Sequence, residues 1–123
     1  MSNQRRRALV VEKDPAILRL IARVLNREQF HVVEAADGAT AVRHLQRSDG
    51  FELVVLDVDS KAENAAHVIE CLKARFPSAL RRVIVISGAS EIIKHGLPEA
   101  VCVIIPKPFD LQAFIAATKQ CAD

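Results

Sequence analysis

Five short apolar runs, separated by segments of helical periodicity, constrain this chain more than any other feature. The runs are Ala8–Val11, Phe30–Val33, Leu53–Leu56, Val83–Ile86 and Val101–Ile105. Successive side chains on a strand point to opposite faces, so a half-exposed strand alternates apolar and polar residues. These runs are β-branched and nearly continuous instead. That is the pattern of strands buried on both faces of a parallel sheet.

The intervening segments read as helices. Ile17, Leu20, Ile21, Val24 and Leu25 form one stripe, with Asp14 placed to cap it and Pro15 at the first helical position. Asp37 is placed to cap a second helix carrying Ala41, Val42 and Leu45. Ala65, Val68, Ile69, Leu72 and Phe76 stripe a third, which stops near Pro77. Ser90 to about His95 gives a short fourth helix, ended by Gly96 and Pro98. Asp110 caps the last, with Leu111, Phe114 and Ile115 on its inner face. A strand–helix unit repeated five times predicts an α/β fold: a doubly wound five-stranded parallel sheet with helices on both faces. Ligands in such folds bind outside the carboxyl ends of the strands, where the strand order reverses.

The bulk properties narrow the function classes. The 123 residues fit one domain, 1–123, with residues 1–6 as a basic arm around Arg5, Arg6 and Arg7. A net charge of +2 carries no strong overall field, so direct nucleic-acid binding is not expected. Cys71, Cys102 and Cys121 show neither metal nor redox spacing, and Cys102 is expected to be buried in its apolar run. The scattered His31, His44, His67 and His95 do not suggest zinc. No apolar segment is long enough to span a bilayer, and the N-terminus lacks the apolar core of a signal peptide. These features together predict a cytoplasmic domain without membrane partners.

Polar residues gather at the predicted strand ends. Glu12 and Lys13 end the first strand, Asp57 and Asp59 the third, Ser87 the fourth and Lys107 the fifth. A carboxylate, a hydroxyl and an ammonium around one point suit phosphoryl transfer. The carboxylate is a nucleophile able to form an acyl phosphate. The other two groups hold the transferred oxygens. Further carboxylates suit Mg²⁺, a hard cation that takes oxygen ligands and keeps several waters. Taken singly, an Asp or Ser after a strand is most often a cap or turn residue and a Lys a solvated charge. The set carries the inference.

The stretches Leu9–Pro15, Glu34–Gly38, Leu53–Asp57, Val85–Ala89 and Pro106-Lys107-Pro108-Phe109 resemble, in order and over nearly the whole chain, the receiver domains of two-component response regulators. The resemblance implies a flavodoxin-like (βα)5 receiver fold and a phosphorelay role. A histidine kinase or phosphotransfer protein would donate the phosphoryl group and an unidentified downstream protein would read it. It implies Asp57 as phosphoacceptor, Ser87 as the hydroxyl that turns toward the phosphoryl group and Lys107 as its ammonium contact, with a cis Lys107–Pro108 bond. It implies Mg²⁺ held by Glu12, Asp57 and Asp59, and no substrate turnover.

The chain departs from the family in four places. Lys13 stands where the family's second acidic metal ligand is expected. Two unit charges ~4 Å apart interact by about 4 kcal/mol at an effective dielectric near 20, so a lysine there predicts weak Mg²⁺ binding, with Asp14 or Asp59 as partial compensation. The loop Val58–Asn64 lacks the family's Pro and Gly. Ile104 occupies the aromatic switch position and is expected in the core or under the fourth helix. The segment from Ser87 to Lys107 is about a turn short.

Two other readings stay open. One is a degenerate receiver acting as a phosphorylation-independent interaction module, with Lys13 paired permanently to Asp57. The other is a haloacid-dehalogenase-type phosphatase, since Asp57-Val58-Asp59 fits an Asp-x-Asp nucleophile motif with Asp59 as acid/base. Against the second, the motif follows the third strand rather than the first. A dinucleotide site is excluded by the lack of Gly-x-Gly-x-x-Gly after the first strand.

Overall fold

The computed structural model describes residues 6–58, 63–87, 103–107 and 110–122. Asp59, the predicted fourth helix, Cys102 and the Lys107–Pro108 bond therefore fall outside the described residues. The chain runs β1 (Arg6–Val11), α1 (Pro15–Arg27), β2 (Phe30–Ala35), α2 (Gly38–Gln46), β3 (Leu53–Val58), α3 (Glu63–Arg75), a 3-10 helix (Pro77–Arg82), β4 (Val83–Ser87), β5 (Val103–Pro106) and α4 (Leu111–Ala122).

All five strands pair in parallel, in the order β2-β1-β3-β4-β5. The order reverses between β1 and β3, so the crevice that such a fold offers to ligands opens at the ends of those two strands. Neighbouring residues of one strand go to opposite cores. Leu9, Val11, Val54, Leu56 and Val85 pack under α2 and α3. Ala8, Val10, Val55, Ile84 and Ile86 pack under α1 and α4. This division explains why the central runs read as continuously apolar. The edge strands differ: His31 and Glu34 of β2 and Ile104 of β5 are exposed.

The three predicted caps form. Asp14 Oδ1 accepts from the backbone N–H of Ala16 and Ile17 at 2.9 and 3.4 Å. Asp37 Oδ1 accepts from Thr40 at 2.7 Å, and Asp110 Oδ1 from Gln112 and Ala113 at 2.9 and 3.2 Å. Each satisfies N–H groups that a helix start leaves without intrahelical partners.

Three expectations need correction. Arg6, assigned above to the arm, opens β1, where its guanidinium stacks over Phe30 at 4.6 Å and donates to the carbonyl of Ala122 at 3.2 Å. Ile104 does not enter the core: it is 38% exposed on the edge strand β5, and the fourth helix expected to cover it lies outside the described residues. The cysteines are not all independent thiols, since Cys121 is buried and disulfide-bonded while Cys71 is free. Their wide sequence spacing hid this, because spacing along the chain says nothing about approach through the fold.

Candidate functional site

The site is built from strand ends. Glu12 follows β1 directly and Asp57 is the penultimate residue of β3, so the switch point places two carboxylates side by side. Ser87 ends β4, in register with Val58 and Pro106 on its neighbours. Lys107 follows β5, and its backbone N–H donates to the Ser87 carbonyl at 3.2 Å, tying it to the end of β4.

From there the Lys107 side chain reaches across β4 to the end of β3. Its Nζ lies 2.8 Å from Asp57 Oδ1 and 3.4 Å from the Val58 carbonyl oxygen. The Asp57 side chain is only 9% exposed. The ammonium forms an ion pair with Oδ1 off the hydrogen-bond direction, and among the described residues no hydrogen-bond donor is aligned on that buried oxygen. Buried polar atoms are almost always hydrogen-bonded, so an oxygen in that condition marks a place where a ligand or ion can bind.

Glu12 is 4% exposed, a placement its position just outside an apolar strand does not announce. One of its oxygens accepts from the Asp14 N–H at 2.9 Å, which fixes the turn into α1. Burial pushes its carboxyl up to about 7, and the neighbouring Asp57 carboxylate adds to the rise; the Asp14 bond and the Lys107 charge oppose it. Two carboxyls pressed together in a poorly solvated crevice share charge badly, and one responds by holding its proton. With Lys13, Asp14, Pro15, Ile17 and Lys107, the two carboxylates line an open depression of about 550 Å³.

The structure thus brings together Glu12, Asp57 and Lys107 and sets Ser87, fully buried, on the adjacent strand. Lys13 lies on the rim, exposed, and among the described residues no carboxylate is within ion-pair distance of it. The Lys13–Asp57 pairing considered above is therefore not formed: the lysine on Asp57 is Lys107. Asp14 is committed to capping α1, which removes it as an easy substitute metal ligand. Asp59 lies outside the described residues. Two contacts were not read from sequence, the Val58 carbonyl on Lys107 and the Glu12 bond to the α1 turn. Both involve backbone atoms, which carry no residue-type signal.

The donor chemistry fits a hard cation. Glu12 and Asp57 offer carboxylate oxygens at one point, one of them without an aligned donor, although no group of three or more candidate ligands occurs among the described residues. A metal held here would keep several waters, as Mg²⁺ commonly does.

An α/β module with acids at its switch point and a lysine arching onto one of them defines a class of phosphoacceptor folds. A family model for the response regulator receiver domain matches residues 8–119, and the chain belongs to that family. The Two-component response regulator ORR24 of Oryza sativa subsp. indica is 28% identical over 109 residues, covering 86% of this chain. This chain spans only 17% of that relative's length. The receiver domain from the hybrid histidine kinase CckA is 25% identical, with 95% of this chain and 99% of that one covered and a TM-score of 0.75. The response regulator TrrA of Thermotoga maritima, solved in complex with Mg(2+)-BeF, superposes with a TM-score of 0.78 at 21% identity, covering 94% of this chain and 98% of that one. The matched model describes a receiver, not a phosphatase, and the doubly wound flavodoxin-like sheet predicted from sequence is the one observed.

Proposed function

We propose that Asp57 accepts a phosphoryl group from a phosphohistidine on a histidine kinase or phosphotransfer protein. The observation that carries this reading is the 2.8 Å pairing of the buried Asp57 carboxylate with Lys107, beside Glu12 at the sheet's switch point. An Asp57 oxygen attacks phosphorus and forms the acyl phosphate bond. The phosphorus–nitrogen bond of the donor breaks, and its electron pair leaves on the imidazole. Lys107 then follows the charge from the carboxylate to a phosphoryl oxygen, and the Ser87 hydroxyl takes a second oxygen by turning out of its buried position. The chain acts as acceptor and switch and does not turn over a substrate.

Mg²⁺, present in the related TrrA complex, would be held by Glu12 and Asp57, with Asp59 as a third ligand. When bound, it would supply charge neutralisation between carboxylate and phosphoryl oxygens. Lys13 on the rim weakens that binding by placing a cation beside the ion, and the effect is moderate because its side chain is exposed to water.

Intact-mass measurement after incubation with acetyl phosphate, with and without Mg²⁺, tests the proposal. One phosphoryl group should appear, it should be labile to hydroxylamine, and Asp57→Asn should abolish it. A gain that survives Asp57→Asn would reassign the acceptor. No gain at any Mg²⁺ concentration would leave this chain as a phosphorylation-independent interaction module.

A further inference from the structure

We propose that the end of the sheet opposite Asp57 carries a binding site for a small amphipathic anion, with a planar or apolar body and a carboxylate or phosphate group. The site is a pocket of about 370 Å³ where β1 begins, the α2–β3 loop turns and the 3-10 helix packs against both. That volume lies at the lower end of the ~300–1,000 Å³ typical of small-molecule sites.

The walls are pinned. Glu52 Oε2 accepts from the backbone N–H of Arg7 at 2.7 Å, and the Glu52 N–H donates to the Arg7 carbonyl at 2.9 Å. This two-point clamp fixes the entry of β3 against the start of β1. Ser48 Oγ accepts from the Gly50 N–H at 2.8 Å and from Arg7 Nη1 at 3.2 Å. Gly50 turns the loop at φ 127°, a conformation that favours glycine, and a Cβ there would reach the Phe76 ring at 3.7 Å. A ligand entering here would meet an ordered cavity, so it would not spend binding energy on organising a loop.

The lining sets the ligand class. Phe51, buried, and Phe76, half-buried, supply an apolar surface. Two guanidinium groups face the same space. That of Arg7 lies over the Phe51 ring at 4.7 Å, and that of Arg82 is exposed. Neither is within ion-pair distance of a carboxylate among the described residues, although Asp49 and Glu52 also line the pocket. The Arg82 guanidinium also makes no hydrogen bond among them. Glu52 is already engaged by the Arg7 N–H. Asp49 is exposed and likewise without an ion-pair partner among the described residues, so two guanidinium groups stand against one unengaged carboxylate and the excess charge is positive. Guanidinium groups are suited to two-pronged contact with carboxylate or phosphate, and a ring beside them can stack a planar body. A cationic ligand would face both arginines, and a neutral one would leave them unused. Neither Arg7 nor Arg82 belongs to the phosphoacceptor site, so this inference is independent of the proposed function.

The test titrates ¹⁵N-labelled protein with 2-naphthoate, with 2-naphthyl phosphate and with neutral 2-naphthylmethanol. Saturable shifts of the Gly50, Phe51 and Glu52 amides are expected with at least one of the two anions. Which anion binds tighter decides between carboxylate and phosphate. The alcohol should bind about tenfold more weakly, the loss expected when one charge-assisted contact is missing. Arg82→Gln, at an exposed position whose side chain makes no hydrogen bond or ion pair among the described residues, should weaken the anion roughly tenfold while leaving the amide spectrum dispersed. The proposal is overturned if neither anion shifts those amides at millimolar concentration, if the alcohol binds equally well, or if Arg82→Gln leaves the affinity unchanged.

Discussion

Glu12→Gln should stabilise this protein at neutral pH, and by an amount that depends on pH. The Glu12 carboxyl is held at about 7, against an ordinary value of 4.5, first by burial and then by the Asp57 carboxylate. A raised pKa means that the folded state binds the proton more tightly than the unfolded chain does. Protonated Glu12 therefore contributes stability that is fully present below about pH 4.5 and is lost as pH rises through 7. The shift is about 2.5 units, and each unit corresponds to about 1.4 kcal/mol, so the loss across this window is up to about 3 kcal/mol. Glutamine keeps the oxygen that accepts the Asp14 N–H and removes the ionisation. Urea unfolding of both proteins between pH 4.5 and 8 isolates the effect, because other titrating groups cancel in the difference. The variant should gain on the natural protein steadily over that range. Saturating Mg²⁺ should shrink the gain, since a bound cation replaces the proton between the carboxylates. A difference that stays flat from pH 4.5 to 8 would falsify the account of Glu12 as a buried carboxyl beside a second one.

Lys13→Asp should tighten Mg²⁺ binding by roughly two- to fivefold, the scale of an exposed charge pair, as read by calorimetric titration; unchanged affinity would show that the rim lysine does not sense the ion. Phe114 is fully buried between α4 and the sheet, so Phe114→Ala should cost about 3–5 kcal/mol in chemical denaturation. Asp14→Ala should cost about 0.5–2 kcal/mol through loss of the α1 cap, and a matching effect of Asp14→Asn would show that the charge rather than the acceptor oxygen matters.

Where sequence reading succeeded, the signal was local. The five strands, the caps at Asp14, Asp37 and Asp110, and the gathering of Glu12, Asp57, Ser87 and Lys107 at one edge follow from periodicity, capping chemistry and the rule that parallel strands share a carboxyl end. Where it failed, the cause was placement across the fold. Ile104 reads like its apolar neighbours, and only the strand order makes it an outward residue of an edge strand. The 3-10 helix at Pro77–Arg82 has no signal in the sequence because six residues make only about two turns, too few to show a periodic stripe. Lys13 occupies the position that the family resemblance assigns to a second acidic ligand, yet it lies exposed on the rim of the site. Successive side chains at a strand end diverge, and Glu12 takes the inward direction.

The net charge of +2 conceals a strong internal asymmetry whose origin is the parallel topology itself. Each helix favours an acceptor at its N-terminus and cations near its C-terminus, because its peptide dipoles leave partial positive and negative charge at those ends. In an antiparallel arrangement such preferences would alternate and cancel. Here every crossover helix runs the same way, so they add. The caps Asp14, Asp37 and Asp110 join Glu12 and Asp57 at one edge. Arg27, Arg43, Arg75, Arg81, Arg82 and Lys119 collect in the last helical turns toward the other. Some of that excess is used locally: Arg6 donates to the Ala122 carbonyl and Arg75 to that of Gln46, closing the ends of α4 and α2. Arg82 has no such duty and lines the pocket beside Arg7. The same topology therefore gathers carboxylates at the proposed phosphoacceptor end and leaves guanidinium groups uncommitted at the other. An anion site at that second end needs only the local rules that built the first.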